Sequence, residues 1–213
     1  MIELTNVTKT FKKEQVLKDT TLTFKRGKIT GIIGRNGSGK TVLMKIICGL
    51  LTPTSGTVVV DGKRIGKDVD FPADIGIIIE TPCFVSYQSA FANLKNLAAI
   101  RGKIKDERIK EALSLVGLQP EDKKRVGKYS LGMRQRLGIA QAIMENPSLL
   151  VLDEPMNGLD KDGVEDMRRL FKGLKEEGKT IVLCSHNAED IAVLCDEVYE
   201  MEKGRVLERG QEE

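Results

Sequence analysis

The chain has few cysteines, no long apolar run and no excess of charge of one sign, and each absence removes a class of protein. Its four cysteines, Cys48, Cys83, Cys184 and Cys195, form no CxxC pair. They read as small apolar residues of a reducing compartment, not as a disulfide frame or a metal cluster. No hydrophobic stretch approaches the roughly 18–20 residues that span a bilayer. The opening MIELTNVTKTFKK holds no apolar leader segment. The expectation is a cytoplasmic protein whose membrane role, if any, comes through a partner. Lys plus Arg number 34 against 31 Asp plus Glu, a formal net charge of +3. That is too balanced to make nucleic acid the main partner. Repeats, low-complexity tracts and Pro/Gly linkers are missing as well.

What is present is ordinary globular composition, 40% hydrophobic and 31% charged over 213 residues, enough for one domain with a real core and a sizeable insertion. Strands are expected at Ile2–Val7, Leu22–Phe24, Ile29–Ile33, Thr57–Val60, Ile75–Ile79, Leu149–Leu152, Ile181–Leu183, Glu197–Met201 and Arg205–Glu208. Several are runs of Ile, Val and Leu without polar alternation, the pattern of strands covered on both faces and hence of a mostly parallel sheet. Helices are expected at Lys40–Cys48, Phe91–Arg101, Asp106–Val116, Leu131–Glu145, Gly163–Glu177 and Asn187–Leu194. The stretch from about Pro82 to Asn146 is nearly all helical. The fold class is therefore α/β, with an α/β core at 1–81 and 146–213 and a helical insert at 82–145. The tail ERGQEE is expected to fray.

Residues Gly34-Arg35-Asn36-Gly37-Ser38-Gly39-Lys40-Thr41 fit G-x-x-x-x-G-K-[ST]. An apolar strand precedes them and a helix follows, the context a phosphate-binding loop requires. The glycines let the backbone turn its N–H groups towards phosphate oxygens, and the helix N-terminus adds partial positive charge. Lys40 is placed to reach the β- and γ-phosphates, and the Thr41 hydroxyl to ligate Mg²⁺. Further along, Leu149-Leu150-Val151-Leu152-Asp153-Glu154-Pro155 is an apolar strand ending in two acids. A strand so apolar is expected at the sheet centre, with its C-terminal end beside the phosphate loop. Asp153 is then a candidate Mg²⁺ ligand and Glu154 a candidate general base for the attacking water. His186, the lone histidine, ends the next strand and is a candidate γ-phosphate sensor.

These motifs, GRNGSGKT, YSLGM at 129–133, LLVLDEP, NGLD at 157–160 and SH at 185–186, occur in an order and spacing that resembles the nucleotide-binding domain of ABC transporters. The resemblance runs from Met1 to about Gly210. It implies a P-loop NTPase core with a mostly parallel sheet, N-terminal antiparallel strands and an inserted helical subdomain. It also implies ATP hydrolysis, with Mg²⁺, by two such domains sandwiched head to tail. Each ATP would lie between one protomer's phosphate loop and the other's signature helix. Ser130 and Gly132 would then contact the partner's nucleotide. Tyr129, Leu131 and Met133 depart from the family's usual LSGGQ, and Leu131 in place of glycine crowds the approach. Ser130 also suits a plain helix cap, a role compatible with the first. Asp160 resembles the residue that connects the two sites across the dimer.

Phe11 fits the aromatic place where the family stacks adenine, although a core phenylalanine is the competing reading. At the strand end where the family carries a glutamine, this chain has Glu80, a further candidate for the metal site. That exchange resembles the bacterial peptide-antibiotic and lantibiotic resistance exporters, so the direction expected is export. The apolar residues of 81–91 would dock a separate transmembrane subunit, or else cover the insert's own core. The ATPase would sit peripherally on the inner face of the cell membrane, as a homodimer or with a second ATPase subunit, and no nucleic acid is expected. Cluster-assembly ATPases of the same fold remain an alternative. The short spacing between Lys40 and Ser130 leaves no room for the coiled coil of chromosome-organising relatives, and a small-molecule kinase leaves YSLGM unexplained.

Overall fold

The computed structural model describes residues 1–208, so all of the tail beyond Glu208 lies outside the described residues. Two sheets form. The first is antiparallel: β1 (Ile2–Phe11), β2 (Glu14–Phe24), β4 (Ser55–Val60) and the short β5 (Lys63–Arg64), in the order β2-β1-β4-β5. The second holds β3 (Ile29–Ile33), β6 (Ile75–Ile78), β7 (Leu149–Asp153), β8 (Thr180–Cys184), β9 (Glu197–Glu202) and β10 (Arg205–Glu208), in the order β10-β9-β3-β8-β7-β6. Every pairing from β9 to β6 is parallel, and β10 closes the edge antiparallel.

The apolar runs of β3, β7 and β8 are buried on both faces because each face has its own core. Leu150, Leu152, Ile181 and Leu183 point into one cluster, Leu149, Val151, Val182 and Cys184 into the other. The first is completed by α2 (Ala90–Arg101), α3 (Asp106–Leu115), α4 (Leu131–Ile143), α5 (Lys161–Glu176) and α6 (Ala188–Leu194). The second is completed by α1 (Lys40–Ile47) and the antiparallel sheet. The helices α2, α3 and α4 lie between β6 and β7 in the chain. Helix α4 passes so close over β6 that a Cβ on Gly76 would stand 1.9 Å from the Ala142 carbonyl oxygen, and only glycine fits there.

Two sequence expectations need correction. β1 and β2 are far longer than Ile2–Val7 and Leu22–Phe24. Residues Asn6 and Asp19 have φ of 49° and 48°, and the register of the pair slips between Leu4 and Val7 and again between Val7 and Lys9. Such bulges shift the inward face by one residue. Buried positions run Leu4 then Val7, and Leu17 then Thr20, so the alternation that would mark the strands is broken. Secondly, β7 is not at the sheet centre: it stands next to the edge strand β6, and β8 separates it from β3, although its C-terminal end does lie beside the phosphate loop, where Asp153 meets Thr41. Helices covering both faces make a strand apolar wherever it lies in the sheet, so its composition did not report its place.

Candidate nucleotide-hydrolysis site

The C-terminal ends of the parallel strands carry the candidate residues, the edge where doubly covered sheets place their ligands. β3 runs into the glycine-rich loop and α1. Gly34, Gly37 and Gly39 have φ of 144°, 79° and 106°, backbone that L side chains rarely adopt. At Gly34 a Cβ would also meet the Met201 carbonyl oxygen at 2.3 Å. Lys40 folds over the loop, its Nζ donating to the carbonyls of Gly34 (2.7 Å) and Arg35 (3.1 Å). The Ser38 hydroxyl is buried without a partner. Buried hydroxyls are normally paired, so Ser38 offers a donor to an incoming anion. Arg35, Asn36 and Gly37 are exposed, leaving the loop open for a phosphate chain.

Although β8 intervenes, α1 crosses towards β7. Thr41 Oγ1 donates to Asp153 Oδ2 at 2.7 Å, so the two first candidates for Mg²⁺ are in contact. A hydroxyl and a carboxylate oxygen form the hard donor set that this cation takes alongside phosphate and water. Glu80 does not join them here. Its residue has φ 61° and its carboxylate accepts from Lys45 Nζ at 2.6 Å.

Glu154 is held through both its backbone and its carboxylate. Its N–H donates to the Cys184 carbonyl at 3.0 Å, its carbonyl accepts from Gln135, and Oε2 lies 2.7 Å from His186 Nδ1. The residue stands at φ 51°, a left-handed conformation uncommon outside glycine. His186 is thus placed against the carboxylate, with its ring 70% exposed. Behind it, Ser185 Oγ donates to Asp190 Oδ2, and Asp190 Oδ1 takes Nε and Nη2 of Arg168 at 3.0 and 2.5 Å. Arg168 and Asp190 are each 5% exposed. A buried pair of this kind fixes geometry at the cost of desolvation. It pins α5 to the start of the His186 loop.

Among the described residues, the remaining candidates, Ser130, Gly132 and Phe11, share no hydrogen bond with this cluster. Ser130 caps α4, its Oγ accepting from the Met133 N–H at 3.2 Å, and is exposed with Gly132 half-buried behind it. The helix therefore presents a bare N-terminus, suited to an anion. Phe11 is 43% exposed at the end of β1, with Lys9 Nζ 5.0 Å from its ring centroid; it is not a core residue. The 81–91 segment divides: Phe84 and Phe91 pack on the helical core, while Val85 and Tyr87 are 38% and 71% exposed. Burial pushes the Cys48 thiol up to about 12 and raises Cys184 well above the usual thiol range, as inert packing residues require. The sequence reading missed Gln135, Lys45 and Arg168. The one local signal was a polar or charged residue at a position that helical spacing turns inward.

Fold and site together define a P-loop nucleoside triphosphatase whose phosphate loop, acidic strand end and histidine meet at one sheet edge. Comparison with known proteins narrows this. A family model described as ABC transporter matches residues 17–157. The ABC transporter ATP-binding protein YybJ of Bacillus subtilis is 44% identical over 206 residues, 97% of this chain and 94% of that protein. The bacitracin transport ATP-binding protein BcrA of Bacillus licheniformis is 43% identical over 210 residues, 98% of this chain and 69% of that protein. Among solved structures, the dimeric post-hydrolysis state of the ATP-binding cassette MJ0796 bound to ADP and Pi superposes with a TM-score of 0.87 at 27% identity, covering 99% of this chain and all of that one. The chain belongs to the ABC transporter family, as an ATP-binding subunit with ATPase activity.

Proposed function

We propose that this subunit drives export of a peptide antibiotic or a related drug, working as a head-to-tail sandwich of two ATPase subunits around two ATP. The observation that carries the chemistry is the meeting of Thr41 with Asp153 and of Glu154 with His186 at the mouth of the phosphate loop. In this reading the loop from Gly34 to Thr41 cradles the triphosphate, with Asn36, Gly37, Ser38 and Gly39 supplying donors and Lys40 leaving its own loop carbonyls for the phosphates. Thr41 and Asp153, with Glu80 as a further candidate, would hold Mg²⁺, which neutralises phosphate charge. Glu154 takes a proton from the attacking water, and His186 orients that carboxylate and senses the γ-phosphate. Phe11 stacks the adenine. Ser130 and Gly132 grip the nucleotide of the partner protomer, whether a second copy of this chain or a second ATPase subunit.

Residues 82–145 act as the insert that carries this grip. The groove between α1 and α4, lined by Lys45, Leu50, Ile79, Pro82, Cys83 and Gln141, together with the exposed Tyr87, receives a separate transmembrane subunit. No helix among the described residues is long and apolar enough to cross a membrane, which supports a peripheral place on the inner face of the cell membrane. The similarity to BcrA, whose name specifies bacitracin transport, and Glu80 in the glutamine place support the antibiotic-export branch.

The test is a tagged Glu154→Gln chain, extracted in mild detergent with MgATP. Loss of a general base lowers turnover by about 10²–10⁴-fold and should leave ATP bound. A multi-span membrane protein that co-purifies and raises resistance to peptide antibiotics is the expected result. A soluble partner would overturn the transport reading, and a membrane subunit that imports its substrate would overturn the direction.

A further inference from the structure

On the reading above, the helix end at Ser130 serves one ATP and Glu154 serves another. Inside one chain the two are fastened together. Gln135 lies just over one turn into α4 and is only 8% exposed. Its Nε2 donates to the carbonyl oxygens of Glu154 at 3.1 Å and of Pro155 at 2.9 Å. Both hydrogens of the amide are thereby spent on two consecutive carbonyls of the catalytic loop. The opposite side of the Glu154 peptide is held by Cys184, through the Glu154 N–H at 3.0 Å. A left-handed glutamate persists only where its surroundings fix it. Here the fixing groups are a β8 carbonyl on one side and, on the other, a side chain of the signature helix together with the Asn157 N–H, which also donates to the Glu154 carbonyl at 3.2 Å; of these, only Gln135 ties that loop to α4.

A second contact lies nearer the helix end. A Cβ on Gly132 would stand 3.0 Å from the Gly158 carbonyl oxygen, and one on Gly158 would stand 2.5 Å from Leu131 Cδ2. Leu131, the departure from the usual glycine, therefore rests in the notch that Gly158 leaves. The helix end and the 154–158 loop cannot shift separately without breaking the Gln135 hydrogen bonds or this packing, and the buried Pro155 carbonyl is costly to leave unpaired.

We propose that Gln135 is a positioning residue that couples the two ATP sites. It holds the Glu154 backbone in the conformation that aims the carboxylate. It also carries the engagement of Ser130 with the partner's nucleotide to Glu154 on its own protomer. The proposal rests on the roles given to Ser130 and Glu154 above.

The experiment compares Gln135→Met, similar in length but without donors, with the native chain in ATP turnover. In parallel, MgATP-dependent dimerisation is measured with and without Gln135→Met on the Glu154→Gln background. Misplacing a reacting group by about 1 Å can cost on the order of 100-fold. The expected result is a kcat lower by about tenfold to a hundredfold, KM for ATP nearly unchanged, and a dimer that still forms. Gln135→His keeps one ring N–H and should fall between; it replaces the methionine variant if that chain does not fold. Native kcat in the folded variants overturns the proposal. Loss of the dimer along with kcat also overturns it, because Gln135 would then merely support the helix end. Absence of the dimer in the parent Glu154→Gln chain overturns the sandwich reading itself, and the coupling with it.

Discussion

Glu80 and Lys45 show how one substitution alters a site's charge balance. The carboxylate sits 2.6 Å from the ammonium, with side-chain exposures of 66% and 31%. Ion pairs this exposed contribute about 0–1 kcal/mol, so Lys45 is a partner easily exchanged. At about 5 Å and an effective dielectric near 20, each unit-charge interaction is worth roughly 3 kcal/mol. A carboxylate at this place is attracted to a divalent cation and repelled by a γ-phosphate to similar extents. The strand end would then respond to metal occupancy more steeply than an amide could. Glu80→Gln is expected to raise the Mg²⁺ concentration needed for half-maximal ATP turnover, measured by titrating Mg²⁺ at fixed ATP. An unchanged Mg²⁺ dependence would remove Glu80 from the metal site.

At the scale of elements, α5 joins the catalytic edge to the far end of the sheet. Asp160 caps it, its Oδ1 accepting from the Gly163 N–H at 3.0 Å. Met167, Phe171 and Leu174 are buried against the sheet, and Arg168 beside them binds Asp190. At the other end Lys175 pairs with Asp196. Asp196 also accepts from the Ile29 N–H at 2.9 Å and so anchors the start of β3. Burial acts to raise the Asp196 carboxyl, but the Lys175 and Ile29 hydrogen bonds and the charges of Lys175 and Lys28 outweigh it and hold the group below the usual carboxylate range. A depressed folded-state pKa means stabilisation that is full above the unfolded value, about 3.9, and lost as pH falls through the lower folded value. Asp196→Asn should therefore melt lower than the native chain at neutral pH, by an amount that stays constant down to about pH 5 and shrinks below about pH 4. Thermal melts across that range check it; a difference that persists in acid would mean that the charge is not what stabilises the junction.

For the whole molecule, the exposed Tyr87 tests the division between folding and docking. A side chain 71% exposed contributes little to stability, typically within about 0.5 kcal/mol on substitution. Tyr87→Ala should leave the melting temperature nearly unchanged and reduce recovery of the membrane subunit in the detergent pull-down. Undiminished recovery would move the docking surface elsewhere. The sequence by itself determined the parts whose causes are local. The phosphate loop needs glycines at fixed offsets between strand and helix, and an N-cap serine marks where α4 begins. Runs of Ile, Val and Leu announced β7 and β8, because strands covered on both faces have no polar side to show. What only the tertiary structure decided depends on residues distant in the chain. Bulges at Asn6 and Asp19 erased the alternation of β1 and β2, and strand order put β8 between β3 and β7. Thr41 nevertheless reaches Asp153, because α1 crosses the gap. The partners of Glu80 and Glu154, Lys45 and Gln135, come from other elements. No local pattern encodes such pairings, since they arise when helices packed on one sheet bring separate chain segments within hydrogen-bonding distance.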